Sequence, residues 1–458
     1  MTKNAEYTEE YLQIIRDLDG DQQGRRAARS FVQNSNAVLF DKVVTSTYVP
    51  RFYDQQTYEA FKYTAETTHG VLCKVIQHYL DDPEYRKIFD YDPRIAELIL
   101  LDRGYPDYIP IMRMDVFTNE DTLECGFIEF NSDGTSGMTE DRTMNGSFAG
   151  SRAMAEFKRR HEVRSSDLFD RLVEELISIY SRYERKVENP HWAMVDYLEM
   201  ATMGEFHEYC RCFAEHGVDC SIYDARDLVY DGHELRGPDG VRIDAIWRRT
   251  VSNDLLNHWD ESTAYLDAVR DGNVALIGSF AGHIVHDKQI FEALHNPKTH
   301  AFLTPEEVAF VEARVPKTCF LDGEFIDIGE VRANKDQWII KPTDHYGSSD
   351  VFAGLMHTQE QWNEIVDRYA NSAAGEPFLV QTYLYPHRTQ QLVPCRDILR
   401  YEDGEAPFEI KPYGNLNGLY LFNGKFAGVF SRMGPNPVIS ELRGDPVAAT
   451  MWVDVPSF

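Results

Sequence analysis

Residues 111–133 read IMRMDVFTNEDTLECGFIEFNSD, and the fold turns on this stretch. Arg113 and Asp115 alternate with Met112, Met114 and Val116, which puts both polar side chains on one face of a strand. Glu129, Asn131 and Asp133 alternate in the same way with Ile128, Phe130 and Ser132. Residues 118–122 between them carry the Asn and Asp chemistry of a hairpin tip. Pairing the strands brings a carboxylate from one against a Glu-x-Asn pair from the other, with an arginine beside them. Three oxygen ligands on rigid strands suit Mg2+, which takes one or two carboxylates and completes its shell with water and substrate phosphates. The plainer reading is a hairpin solvated on one face, with a surface Arg–Asp pair worth little. The rest of the chain bears on which is right.

At 458 residues the chain exceeds the size at which one core stops growing, so two or three subdomains are expected. The formal net charge of -29, from 75 acids against 46 bases, opposes a nucleic-acid or anionic-membrane partner. An anionic nucleotide therefore needs a locally basic pocket. The seven cysteines have no regular spacing, and the charged opening MTKNAEYTEE does not read as a signal peptide, so the cytoplasm is the expected compartment. No apolar run is long enough to suggest a membrane span.

Residues 1–105 read as mainly helical. Tyr58, Phe61, Ala65, Leu72, Val75, Ile76, Tyr79 and Leu80 recur at three- and four-residue steps and predict one long amphipathic helix. After the hairpin, residues 136–145 read as a polar, Gly-containing connection, and 168–183 as a second helix. HWAMVDYLEM, TMGEFHEYCRCFAEHG and VDCSIYDA then give strand, helix and strand, an α/β unit within 190–285. IDAIWRRTVSNDLL puts Arg248 and Arg249 at a strand end, where open α/β sheets bind ligands, so a carboxylate or phosphate clamp is as good a reading as a salt bridge. Lys288 falls in the first turn of a helix, against the macrodipole, which is unfavourable unless an anion lies nearby. Trp338 to Ile340 reads as a short apolar strand that Lys341 ends, with Pro342 stopping the ladder, and the loop 343–349 offers hydroxyls, backbone donors, Gly347 and Ser348, the material of a weak phosphate loop. Within FLVQTYLY, Phe378 to Tyr383 reads as a strand whose backbone and Gln381 amide could meet a purine edge. Asn423-Gly424 marks a late hairpin whose second strand runs to Arg432.

This order resembles the circularly permuted ATP-grasp ligases, in particular the glutathionylspermidine synthase-like branch. The residues that carry the resemblance are Arg113-x-Asp115, Glu129-x-Asn131-x-Asp133, Asp287-Lys288, Ile340-Lys341-Pro342 and the closing FNGKFAGVFSRM. The resemblance covers about 105–440 and implies a mixed α/β, circularly permuted ATP-grasp fold. Its parts would be a helical segment at 1–105, a metal-binding hairpin and helix at 106–189, a pre-ATP-grasp-like substrate domain at 190–285, a lid at 286–380 and the closing strands of the core at 381–458. Carried over, it implies that Asp115, Glu129 and Asn131 hold Mg2+, two ions, on ATP as co-substrate. Lys288 and Lys341 would hold the α and β phosphates under a loop including Gly347 and Ser348, and Gln381 to Tyr383 would read adenine. Arg113 would face the γ-phosphate or acyl group and Arg432 would steady the charge in transfer. Arg248, Arg249 and Asp133 are the residues expected at the substrate. The 343–349 loop has fewer glycines than the family usually shows.

The implied activity is amide formation between a small carboxylate and an amine through an acyl phosphate, releasing ADP and phosphate. Three other readings stand beside it. A small-molecule kinase would stop at a phosphorylated product. A metal-dependent or glycoside hydrolase would use Asp115, Glu129 and Asp133 but leave Lys288, Lys341 and Arg432 without a role. A nucleotide-binding protein without catalysis would have no chemical need for the three metal positions.

Overall fold

The computed structural model describes residues 2–39, 42–322, 324–345, 347, 349–372 and 376–456. Its centre is a six-stranded sheet in which Ile111–Thr118 lies between Cys125–Asn131 and Ile410–Phe422. Lys425–Gly434 and Val447–Ala448 extend it on one side, and Arg388–Leu392 pairs the first half of the long 410–422 strand. Every residue of Ile111–Thr118 is buried, so the polar pair on it is not a solvated surface pair. One face of that strand, Met112, Met114 and Val116, packs in a core with Phe61, Ala65 and Val75 of the 27-residue helix Gln55–Asp81. The opposite face carries Arg113 and Asp115. The helix begins where Asp54 accepts a hydrogen bond from Thr57 N, an N-cap that satisfies one of its free donors.

Asn423 and Gly424 take φ of +46° and +77° at the tip joining Ile410–Phe422 to Lys425–Gly434, the conformation that this dipeptide adopts at low cost. An early strand joins a late one: Arg51–Tyr53 runs parallel to Thr450–Val453, and buried Arg51 pairs with Glu120 in the hairpin connection.

Two other sheets flank the central one. Ala275–Ile277, Ala245–Arg248, Trp192–Asp196 and Cys220–Asp224 form a four-stranded parallel sheet in that order. The helix Met203–Glu215 crosses between two of these strands and stops at Gly217, whose φ is +74°. The third sheet is antiparallel, in the order Thr318–Phe320, Phe378–Thr382, Trp338–Pro342 and Phe352–Ala353. It has a core of its own, with Cys319, Trp338, Ile340, Phe378 and Val380 packed on Trp362 and Val366 of the helix Gln359–Tyr369. Thr358 and Gln361 close that helix start with a capping box.

One expectation is overturned. Residues 136–145 are not a connection, because Met138–Gly146 is a helix. Gly137 sits at its cap with φ +110° and no side chain to offer, and the carboxylate of Glu205 from another helix accepts from the N–H groups of Gly137, Met138 and Thr139 at 3.1, 2.9 and 3.2 Å. The start signal is tertiary, so the local sequence lacks it. Among the described residues no helix is long and apolar enough to cross a membrane.

Candidate active site

Strand register brings the polar residues of the hairpin together. Asp115 lies opposite Glu129 and Arg113 opposite Asn131, with a bulge just after Asp115. Gly418 on the neighbouring strand faces Asp115, and a Cβ there would come within 2.7 Å of Arg113 Cδ and 3.1 Å of Asp115 Oδ1. Glycine at this position leaves the space that the ion pair fills. Arg113 donates from Nε to Asp115 Oδ1 at 2.9 Å and from Nη2 to Oδ2 at 3.2 Å, while Arg432 Nη2 lies 2.6 Å from Oδ2. Burial by itself would push the Asp115 carboxyl up, but the two guanidinium groups outweigh it and hold the group below the usual carboxylate range. Asn131 Nδ2 lies 3.4 Å from Arg113 O and 3.5 Å from Asp115 Oδ2.

Glu129 is matched by Lys288, whose Nζ lies 2.9 Å from Oε1 and also donates to His345 O at 2.7 Å. This is the anion that makes a lysine tolerable just before the helix Gln289–His295. Burial again works against ionisation, and Lys288 reverses it, so Glu129 titrates below its ordinary value. Lys341 has no carboxylate so close. Its Nζ donates to Ile128 O at 3.0 Å and lies 5.5 Å from the centroid of the Phe291 ring. Burial, with the nearby Lys288 charge, pushes Lys341 down to about 7. A buried cation lacking a counterion is the signature expected of a group that meets an anionic ligand.

Two clefts meet at Glu129. One, about 660 Å³ with its open mouth, is walled by Phe117, Ile128, Ile339, Tyr383, Leu384 and Val438, with Lys288, Lys341 and Gln381 beside them. The other is wider, about 1220 Å³ with its open mouth, and is lined by Arg113, Glu129, Asn131, Glu140, Asp196, Arg249, Arg432 and Glu441. The first is an apolar slot with two lysines in its wall, and the second has charges of both signs. Asp115, Glu129 and the Asn131 amide form an all-oxygen set on two paired strands, and two of the three are ionised. That donor chemistry fits Mg2+. Arg113, Arg432 and Lys288 pair with these carboxylates, and their donors are of the kind that also bind phosphate oxygens.

The remaining expected residues fall unevenly. Gln381 and Tyr383 wall the apolar cleft, with the Gln381 amide donating to Thr318 Oγ1 at 2.8 Å and the Tyr383 hydroxyl to Pro437 O at 2.9 Å. Gly347 borders the wide cleft at φ +66°, where a Cβ would strike Leu442 at 2.5 Å; Ser348 lies outside the described residues. Arg248 and Asp133 differ from what was expected of them. Arg248 uses all its N–H groups on Asp133 and on the carbonyls of Gly278, Thr250 and Ser279, and Asp133 also accepts from Ser252 Oγ at 3.0 Å. Both are fully buried, and the pair staples the hairpin to the parallel sheet, leaving no donor for a substrate.

Arg249 does reach the wide cleft. It donates to Thr135 O, packs against Phe206 and Trp247, and keeps a buried Nε with no partner. Sequence reasoning missed Glu140, Asp196, Glu205 and Glu441. Asp196 ends its strand beside Arg249 and could have been found by the same strand-end argument; burial pushes it up to about 7 despite Arg249. The three glutamates carry no local signal.

No family model matches the chain, and no curated protein matches it. A solved structure of D-cycloserine synthetase DcsG, at 16% identity, covers 42% of this chain and 59% of its own, but its TM-score of 0.28 is too low to argue from. The structure of a glutathione synthetase like-effector (GSS30) from Globodera pallida in its apo form is similar over 94% of this chain and 96% of its own, with a TM-score of 0.61 at 10% identity. At that identity the likeness is one of fold, and the mixed α/β architecture described above is shared with that glutathione synthetase-like protein along nearly its whole length.

Proposed function

We propose that the chain is an ATP-dependent carboxylate–amine ligase of the ATP-grasp type. The observation that carries this is the junction at Glu129, where an apolar slot holding Lys288 and Lys341 meets a wide cleft of mixed charge. The slot suits a nucleoside triphosphate entering base first, and the wide cleft suits the two molecules to be joined. The shared fold of a glutathione synthetase-like protein supports the same reading.

In this reading Asp115, Glu129 and Asn131 hold Mg2+, two ions, which would neutralise the phosphates and polarise the γ-phosphoryl group. Lys288 and Lys341 bind the α and β phosphates, and the strand ending at Gln381 to Tyr383 lies along the base. Arg113, released from Asp115, faces the γ-phosphoryl or acyl group, and Arg432 balances charge as the phosphoryl moves. Arg249 takes the carboxylate substrate, with its unpartnered Nε as a free donor. The carboxylate oxygen attacks the γ-phosphorus, ADP leaves, and the amine then attacks the acyl carbon. A C–N bond forms, the C–O bond to phosphate breaks, and the ammonium proton passes to a base; Asp196, poised near neutrality in the same cleft, is suitable. Water must be kept out until the amine has reacted.

The test is ADP release with Mg-ATP over a panel of amino acids, dipeptides and polyamines, singly and in pairs, with products weighed by mass spectrometry. A product lighter by one water than the sum of two partners establishes the ligase. A product heavier by one phosphoryl group from a single partner replaces it with the kinase.

A further inference from the structure

Beside Lys288 lies a second polar cluster that the reaction above does not use. His283 and Asp287 stand one helical turn apart, and Asp344 reaches them from the loop that follows the Lys341 strand. One ligand atom from each of the three lies within 4.8 Å of the others. His283 Nε2 is 3.9 Å from Asp287 Oδ2, and His286 Nε2, from the same short helix, is 3.8 Å from Asp344 Oδ1. These separations are too long for hydrogen bonds and close to those between ligands around one small cation.

Asp133 is matched by Arg248, and Lys288, which neighbours both remaining aspartates, uses its Nζ on Glu129 and His345 O. Among the described residues Asp287 and Asp344 have no arginine or lysine within ion-pair distance. Burial disfavours charge on all four groups, lowering the pKa of His283 and His286 and raising those of Asp287 and Asp344. The Nδ1 atoms of the two histidines are buried without a hydrogen bond, that of His283 standing 3.9 Å from Asp133 Oδ2, as is the hydroxyl of Tyr91, whose ring meets His283 edge-on at 5.1 Å. Buried imidazole nitrogens and a buried hydroxyl without hydrogen bonds, around two carboxyls that burial holds from ionising, are costly unless something binds there.

We infer that His283, Asp287 and Asp344, with His286 beside them, form a binding site for one divalent transition-metal cation, distinct from the Asp115–Glu129–Asn131 site. Two carboxylates and neutral imidazole nitrogen match the ligand preference of Zn2+, Mn2+ or Co2+, whereas Mg2+ favours oxygen alone. A dication bound here would hold both carboxyls ionised against the burial that raises them, and the charges would then cancel. Asp344 is the one partly exposed member and gives the way in. A cation here ties the loop after Lys341 to the turn that carries Lys288, where Lys288 N already donates to Thr343 O at 2.9 Å. It would act as a clasp on the two lysines and not as a reactant.

The inference does not depend on the ligase reading, because it can be tested without nucleotide. The full chain is stripped with a chelator and titrated with Zn2+ in excess Mg2+ by calorimetry, and with Co2+ by visible absorption. The expected result is one equivalent of Zn2+ and a Co2+ ligand-field band. Both should be lost in His283→Gln and in Asp344→Asn, by more than the ~100-fold typical of outer-sphere changes, and kept in Asp115→Asn. Asp344→Asn lies on a partly exposed loop and keeps the test readable if His283→Gln does not fold. Absence of stoichiometric Zn2+ binding in the wild-type chain overturns the site, as does binding that survives both substitutions or disappears in Asp115→Asn.

Discussion

Asp115 touches two guanidinium groups at once, so its charge holds the site together before any ligand arrives. Asp115→Asn keeps the shape, removes the charge and leaves two buried arginines facing each other. Turnover should fall at least ~100-fold and the protein should also melt earlier; ADP release at saturating Mg-ATP together with a thermal melt reads both, and near-wild-type turnover would remove Asp115 from the chemistry. Lys341 gives a second test through protons. Its pKa falls from the ordinary lysine value to about 7 in the folded chain, so between about 7 and 10.5 the unfolded chain binds the proton that the folded one lacks. Stability contributed by this group therefore rises with pH across that window, and its burial is most costly below 7. A phosphate beside it restores the proton, so nucleotide binding at pH 8.5 should take up close to ~1 proton. Calorimetry in buffers of different ionisation enthalpy measures the uptake, and it should vanish in Lys341→Met. Both residues were legible in sequence because strand alternation and strand ends fix where a side chain points. Arg248 was legible as a strand-end cation with a ligand clamp and a salt bridge as equal readings; the partner that decides between them, Asp133, comes from a hairpin that only the tertiary fold brings near.

Among the secondary elements, the late hairpin and the helix Met138–Gly146 mark the two limits of what local sequence can say. Asn423-Gly424 names its own turn, because only such residues sit comfortably at two successive positive φ values. The helix has Gly137 where a capping side chain belongs, and its start is completed by Glu205 from far along the chain. Nothing between 130 and 150 announces that partner, so the stretch reads as a loop. Glu205→Ala strands three backbone donors in a buried place, and the cost should be about 2–3 kcal/mol in equilibrium denaturation. A change below ~0.5 kcal/mol would mean that water replaces the carboxylate without loss. The acidic first turn, Glu140 and Asp141, is too buried to take over the cap, as burial pushes both carboxyls well above their usual range.

Across the whole molecule, three sheets with different strand rules meet at one junction. The parallel unit could be read from its strand–helix–strand order, but the sheet order, with the first two strands at one side and the last two at the other, is set by packing and was not legible. The small antiparallel sheet has its own apolar core and meets the hairpin across the slot, where Lys341 Nζ reaches Ile128 O. With a net charge of -29 the surface repels an anionic nucleotide, so binding depends on the few cations concentrated at that junction. The consequence is a local response. A non-hydrolysable ATP analogue with Mg2+ should slow amide exchange in Trp338–Pro342, in Phe378–Thr382 and around Glu129, because these segments wall the slot and are drawn together when phosphates neutralise Lys288 and Lys341. The helix Gln22–Gln33 lines neither cleft at Glu129 and should exchange at the same rate with and without the analogue. Hydrogen-exchange mass spectrometry separates the outcomes: protection confined to the slot places the nucleotide there, whereas protection that skips Trp338–Pro342 and Phe378–Thr382 would mean that ATP binds elsewhere and that the two lysines serve another anion.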